Sequence, residues 1–385
     1  MKKKKVVYIV LGLSLILNIL YFKFDTFDYL WPKIQARYFP EETINGYNKE
    51  IEKKIIDVSI NMLDKDPVMI WSEPKGFTQT LLSSNHITST AEFRLHNYPR
   101  AYLYYGLSEY LIKNNNQKKL LELKKSFDKL YDFDNLNEIK FYRIDQVPFG
   151  LTALNLYKHF KEDKYLKFSK TLYHFILEYQ EQDGIISYRK GKHTVLNDML
   201  GMIIPFLIKF DEYNKNNEKF PIVKKQLDYF IKYGIDTKTY MPSHAINKDV
   251  KVKVGSINWG RGIGWYAIAL SQYYLSTGEY EIEINGLLST LKSLKNSEQL
   301  WSQFPGNYER FDASTTTMIL YSNAIMNTTV LNKQEIFKLL KNYISKDGLI
   351  LETSGDTYAV NNYSNTYGKS ELSQGMLLLL LANSK

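Results

Sequence analysis

Cysteine is absent from the 385 residues. A disulfide framework, an iron–sulfur cluster, a cysteine nucleophile and a thiolate zinc site are therefore all excluded. Histidine is scarce as well, with six copies, and His193 and His244 lack the carboxylate or His spacing of a metal cluster, so no metal is expected. Acidic side chains number 41 against 50 basic ones, for a formal charge of +9. Beyond Pro40 there is no low-complexity linker, and the polar stretches at 114–118 and 214–219 are no longer than turns. What is plentiful is apolar and aromatic: 44% of residues are hydrophobic, with 31 Tyr, 20 Phe and 5 Trp. Such a chain has ample material for a core, and disorder throughout is excluded.

A single long apolar run stands at the amino terminus, from Val6 to Phe22, behind Lys2, Lys3, Lys4 and Lys5 and ahead of Lys23 and Lys33. It reaches the short end of what crosses a ~30 Å hydrocarbon core. A basic start and an apolar stretch also describe a cleavable signal peptide. No small-x-small site follows Phe22, so the expectation is an uncleaved signal anchor over residues 1–34, ahead of a body at 41–385. Four lysines before the span favour an inside amino terminus, with the body outside the cytoplasm at a bacterial cell surface or in a periplasm. Tyr29, Trp31 and Tyr38 are then expected near the interface. The anchor region holds close to half of the net charge, which therefore speaks of orientation and little of ligands.

The body repeats. Segments that are apolar nearly all round recur at 100–112, 149–160, 199–210, 264–275, 316–326 and 372–382, at intervals of roughly 50 to 65 residues. Helices of that kind are buried on every side. Between them lie Lys-rich amphipathic segments at 49–63, 118–130, 165–179, 219–233, 281–294 and 333–344. In one of them Leu166, Phe168, Leu172, Phe175 and Ile176 fall close to an i, i+3, i+4 stripe, with one wet face. Six buried helices alternating with six one-sided ones describe two concentric rings, an all-α (α/α)6 barrel. Short hairpin-like pieces are expected near 184–188 and 348–352.

If the inner helices run the same way, their amino-terminal ends share one mouth, where free backbone N–H groups favour anions. The residues just before them are Asn97, Tyr98 and Arg100; Arg143 and Asp145; His193, Asn197 and Asp198; His244, Trp259, Arg261 and Trp265; Asp312; and Ser370 and Glu371. Carboxylates, aromatic faces and Arg at one concave end suit a carbohydrate, because aromatics stack on sugar rings and Arg can grip a carboxylate through two hydrogen bonds. Taken singly, each of Asp145, Asp198 and Asp312 reads first as a helix N-cap. A carboxylate at the position of Asp198, against an inner helix, should have a raised pKa and be able to donate a proton near neutrality. The glycine-rich run Trp259-Gly-Arg-Gly-Ile-Gly-Trp follows no strand and lacks the Lys-Ser or Lys-Thr of a phosphate loop, so no nucleotide cofactor is expected. Lysines on the outer helices are not interleaved with aromatics, so no nucleic-acid partner is expected.

Three stretches carry a resemblance: Arg143-Ile-Asp-Gln-Val-Pro-Phe-Gly, Asn197-Asp-Met-Leu-Gly-Met-Ile-Ile-Pro-Phe-Leu, and Trp259-Gly-Arg-Gly-Ile-Gly-Trp-Tyr-Ala-Ile-Ala-Leu. In order and over roughly Arg94 to Ala382, the sequence resembles glycoside hydrolase families 88 and 105, the unsaturated glucuronyl and rhamnogalacturonyl hydrolases. The resemblance implies an (α/α)6 barrel and an acidic oligosaccharide substrate whose terminal uronic acid carries a C4=C5 double bond. It implies protonation of C4 by an Asp, addition of water at C5, and release of the sugar as the hemiketal rearranges. Asp198 matches the acid/base position and Asp145 the second essential carboxylate. Arg261, Trp259 and Trp265 match the motif lining the sugar pocket, and His244 matches a family His.

The sequence also departs from that pattern. Ala245-Ile246-Asn247 follows His244 where the family has an aromatic residue and an Asp, and Leu196 stands where a Trp usually precedes the catalytic Asp. Two other readings therefore stay open: a catalytically silent glycan-binding or assembly protein, and another (α/α)6 glycosidase or a uronate lyase. The sequence gives no indication of oligomeric state.

Overall fold

Helix-forming, period-3.6 segments dominate the chain, and the computed structural model is accordingly mostly helical with a few short strands. It describes residues 2–31, 34, 38, 40–65, 67, 95–133, 135, 139–213, 220–308, 310–328, 331–357 and 359–384. Arg94, Lys33, the polar stretch at 214–219 and the side chain of Tyr29 lie outside the described set. In chain order the helices are α1 (Lys2–Tyr21), α2 (Lys49–Leu63), α3 (Tyr98–Lys113), α4 (Gln117–Leu130), α5 (Phe149–Phe160), α6 (Asp163–Leu177) and α7 (Asp198–Asp211). They continue as α8 (Pro221–Gly234), α9 (Gly260–Thr277), α10 (Glu281–Ser293), α11 (Ala313–Ile325), α12 (Lys333–Leu340) and α13 (Glu371–Ala382).

The stretch Lys4–Tyr21 of α1 is long and apolar enough to cross a membrane, and none of it is buried against the rest of the protein. Its Leu13, Ile16 and Leu17 are exposed, as are Trp31 and Tyr38 beyond it. Exposed apolar side chains in a row are costly in water, at about 25 cal/mol per Å².

The apolar segments pack in sequence: α3 on α5, α5 on α7, α7 on α9, α9 on α11, α11 on α13, and α13 back on α3. The closing contact is also the tightest. A Cβ on Gly106 would strike the backbone of Gly375, and one on Gly375 would strike the backbone of Tyr102, so the two helices approach at a distance only glycine permits. The amphipathic helices lie outside this ring, with α4 against α3, α6 against α5, α8 against α7 and α10 against α9. Their buried residues follow the helical period, as in Leu120, Leu123 and Phe127 of α4. In α6 Tyr165, Phe168, Leu172, Phe175 and Ile176 are buried, while Leu166 sits at the edge of the stripe. Tyr165 takes the inward place because its hydroxyl finds a partner, donating to Asp128 at 2.8 Å.

The inner helices start earlier than the apolar pattern implies, at 198, 260, 313 and 371. Their first turns are polar or glycine-rich, and an apolar period cannot register them. The expected hairpins near 184–188 and 348–352 reduce to single bridges, Gln180 with Ile186 and Ile344 with Ile350. Strand pairing occurs instead in β1 (Thr194–Leu196), β2 (Ala245–Asn247) and β3 (Val252–Val254), a small antiparallel sheet in that order, and between β4 (Thr353–Ser354) and β5 (Tyr367–Gly368). The three-residue strands are too short for an alternating pattern to stand out. The sheet delivers the chain to the start of α7, and β4 opens a loop, 355–366, that returns over the same end of the ring.

Candidate active site

The amino-terminal ends of the inner helices do meet. Tyr98 at the start of α3, Arg261 in the first turn of α9 and Ser314 in that of α11 are joined by hydrogen bonds, with Arg261 Nη1 to Tyr98 Oη at 3.3 Å and Nε to Ser314 Oγ at 3.2 Å. Helix ends of one polarity gathered this way present a positive potential.

Asp198 is the first residue of α7, one past the N-cap position, which Asn197 occupies. Its Oδ1 is buried without a hydrogen-bond partner among the described residues. Burial pushes its carboxyl up to about 7; Arg261 pulls it down, and the negative charges of Asp145 and Asp356 push it further up. A hydrogen bond to its own backbone also works against the rise, but the N-cap position itself belongs to Asn197. The capping reading does describe Asp312, whose Oδ2 accepts from Thr315 N at 3.0 Å, Ser314 Oγ at 2.8 Å and Thr315 Oγ1 at 2.6 Å, while Oδ1 accepts from Ser354 N at 2.7 Å. Both oxygens of Asp312 are thus engaged in holding the start of α11 and β4.

Asp145 sits in a single 3₁₀ turn, Ile144–Gln146, ahead of α5. Both of its oxygens face the Tyr188 hydroxyl, at 2.8 and 2.9 Å. Burial raises its pKa, and the tyrosine hydrogen bond works against that rise.

Arg261 is 3% exposed and fully engaged. Nη1 pairs with Asp356 Oδ1 at 2.5 Å, and Nη2 donates to the carbonyl of Ser354 and to its Oγ at 3.2 Å. All three of its nitrogens are held within the protein, so its positive charge is fixed here and its fork is not offered to a ligand. Tyr98 donates its hydroxyl to the same Asp356 oxygen.

Trp259, His244 and Tyr363 form an aromatic stack. The His244 ring lies 4.3 Å from Trp259 at 35°, and Tyr363 is 5.5 Å from each. His244 Nδ1 is 3.1 Å from the Tyr363 hydroxyl, which also accepts from Ser256 N at 3.1 Å. Burial lowers the His244 pKa to about 4, so the ring is neutral at neutral pH. Trp259 Nε1 and Asn197 Oδ1 are buried and unpartnered. Both residues press on Gly262, where a Cβ would come within 2.7 Å of Trp259 Cε3 and 2.9 Å of Asn197 Oδ1. With Asp198, three orphaned polar atoms gather at one end of the ring, the pattern left when a polar ligand or water completes a site.

Other expected residues fall elsewhere. Trp265 is wholly buried, edge-on to Tyr98 with centroids 5.8 Å apart, and forms the floor under that residue. Asn97 caps α3, accepting from Tyr98 N at 2.7 Å. His193 is exposed in the sheet connection and pairs with Asp249 at 3.0 Å, apart from the buried cluster. Arg100 and Glu371 form a buried pair that also holds the carbonyls of Leu63 and Lys65. Asp356, Tyr363 and Tyr188 were not legible as site residues, because all three lie on loops and none immediately precedes an inner helix. The departures at Leu196 and Ala245-Ile246-Asn247 are neighbours in space: Leu196 pairs with Ala245, Val195 with Ile246 and Thr194 with Asn247 across β1 and β2. Asn247 is spent on the β2–β3 turn, accepting from Asp249 N at 3.0 Å.

Solved structures share this architecture. A possible member of glycoside hydrolase family 105 from Klebsiella pneumoniae superposes with a TM-score of 0.67 at 14% identity, covering 88% of this chain and 93% of that one. An unsaturated glucuronyl hydrolase specific for heparin gives 0.62 at 17% identity, with 87% and 97% covered. A polysaccharide lyase gives 0.56 at 15%, with 87% and 97% covered. Identities this low show a common fold and nothing finer. The sequence itself matches Glycosyl Hydrolase Family 88 over residues 74–384, and on that match, which takes in Asp145, Asp198 and Arg261, the chain belongs to glycosyl hydrolase family 88.

Proposed function

We propose that the protein is a membrane-anchored hydrolase of unsaturated uronyl oligosaccharides, with α1 as its anchor and residues 41–385 as an (α/α)6-barrel catalytic body. The observation that carries this reading is the carboxyl of Asp198: half-buried as a residue, with Oδ1 itself buried and unpartnered, and raised to about 7, so that a large share of it holds a proton at neutral pH. A group poised there suits general acid catalysis.

In this mechanism the protonated Asp198 gives its proton to C4 of the vinyl ether, and positive charge develops at C5 and the ring oxygen. The Asp198 carboxylate then takes a proton from water as the water oxygen bonds to C5, which returns Asp198 to its starting state. The product of hydration is a hemiketal; it opens to a ketone and releases the leaving sugar. Asp145 stabilises the positive charge in passing and holds a sugar hydroxyl. The stack of Trp259, His244 and Tyr363 presents aromatic surface to the ring, and Trp259 Nε1 donates to a substrate oxygen. The four lysines that open α1 favour an inside amino terminus, with the body beyond the cytoplasmic face.

The test uses full-length protein in detergent with lyase-generated unsaturated disaccharides, glucuronyl and galacturonyl, and follows loss of the ultraviolet absorbance of the double bond. Wild type is expected to consume at least one of them, and Asp198→Asn none. Equal behaviour of the two proteins would remove Asp198 from the mechanism. A second reading, a silent glycan-binding protein, is favoured by one observation: the departures from the family pattern all fall on the β1–β2 pair beside Asp198. Saturable binding of acidic glycans without turnover would select it.

A further inference from the structure

Asp356 belongs to no helix. It lies two residues past β4, and its loop brings it 13% exposed against Arg261 and Tyr98. The described charged and titratable groups that act on Asp198 come from every side: Arg261 from α9, Asp145 from the turn before α5, Asp356 from the β4–β5 loop, Tyr98 from α3, and Tyr188 and Tyr363 from connecting loops. Among these Arg261 alone is cationic. A buried guanidinium beside a carboxylic acid strips its proton unless another charge offsets it. Asp356 is in direct contact with that guanidinium at 2.5 Å, whereas Asp145 is held by Tyr188.

We propose that Asp356 is a positioning residue for this reaction: its pairing with Arg261 fixes the guanidinium on Ser354 and offsets the positive charge beside Asp198. The pair as a whole is neutral, so Asp198 is left as an acid rather than as the partner of Arg261. This rests on the acid role proposed above for Asp198, and it adds a residue for which nothing in the motif pattern provides.

The experiment compares wild type, Asp356→Asn, Asp356→Glu and the double variant Asp356→Asn/Arg261→Gln, each with and without Asp198→Asn, as full-length protein in detergent. The first readout is the pH profile of turnover on an unsaturated disaccharide. In Asp356→Asn the alkaline limb is expected to move down by roughly 1 pH unit. The rate at pH 7 then falls about fivefold, because the protonated share drops from about a half to about a tenth. Asp356→Glu is expected to keep the limb in place. The second readout needs no substrate: thermal stability against pH, scored as the gain that Asp198→Asn confers in each background. In wild type that gain levels off near pH 7, in Asp356→Asn it levels off lower, and in the double variant it returns to near 7. If Asp356→Asn does not fold, the double variant carries the test, and a plateau well below 7 there overturns the proposal. So does a limb or plateau that stays in place in Asp356→Asn. Movement of the plateau without turnover by any variant would uphold the charge offset by Asp356 but overturn its role in a reaction, together with the hydrolase reading.

Discussion

Arg261 gives its Nη1 to Asp356 at 2.5 Å and not to Asp198. The cation that a carbohydrate site would be expected to extend toward a uronate is instead locked below the surface by Asp356, Ser354, Ser314 and Tyr98. In the proposed reaction, recognition of a substrate carboxylate would fall to an uncommitted donor such as Trp259 Nε1.

The pH dependence of activity follows from Asp198. In the acid role proposed for it, Asp198 works while protonated, so kcat is expected to fall as pH rises through about 7. Asp198→Asn, which cannot donate a proton, is expected to lose 10²-fold or more in kcat on that scale of effect, measured from initial rates between pH 5 and 9.

The same group makes a stability prediction of opposite sense. Its folded pKa lies above the ordinary carboxylate value of about 3.9. Its relative stabilisation is therefore complete below pH 4 and is lost as pH rises toward 7. Asp198→Asn removes that loss. The variant should match wild type near pH 4 and become the more stable protein above it, the gap widening by at most about 1.4 kcal/mol per pH unit and levelling off above 7. Calorimetric melting at pH 4, 6 and 8 checks it. A mere capping residue would show no such trend, because Asn caps as well as Asp.

His244 gives the mirror image. Its folded pKa is depressed to about 4 by burial, below the ordinary 6.5. Stability is full above pH 6.5 and declines as pH falls through the range down to 4, because the unfolded chain gains a proton that the folded one refuses. His244→Phe is expected to flatten that acid-side decline, read from denaturant midpoints between pH 4.5 and 7.

At the far side of the ring, Gly106→Ala tests the closure of α13 on α3. The added Cβ meets the backbone of Gly375, and backbone does not yield as a side chain does. Overpacking of this kind costs about 1–3 kcal/mol or more. A melting temperature lowered by several degrees is expected, where an exposed helix position would gain from Ala.

The ring was legible because it is written in repetition: six stretches apolar all round can be satisfied only by one another. Asp145 and Asp198 were legible as candidates because they precede such stretches. Asp356, Tyr363 and Tyr188 were not, since connecting loops that reach the mouth leave no period in the sequence and their place depends on tertiary closure. Arg261 was found, but its commitment to Asp356 lies 95 residues away in the chain and no spacing rule reaches that far. His193 shows the converse error of adjacency: it is five residues before Asp198, yet it points to solvent and Asp249.

The central claim is protonation of C4 by Asp198, and turnover in D2O tests it most directly. Full-length protein is incubated with an unsaturated uronyl disaccharide and the product is read by NMR. The expected result is loss of the vinyl H4 signal with a single deuterium placed at C4, at a rate that Asp198→Asn abolishes. Cleavage of the glycosidic bond with the double bond intact, or deuterium uptake undiminished in Asp198→Asn, would contradict it.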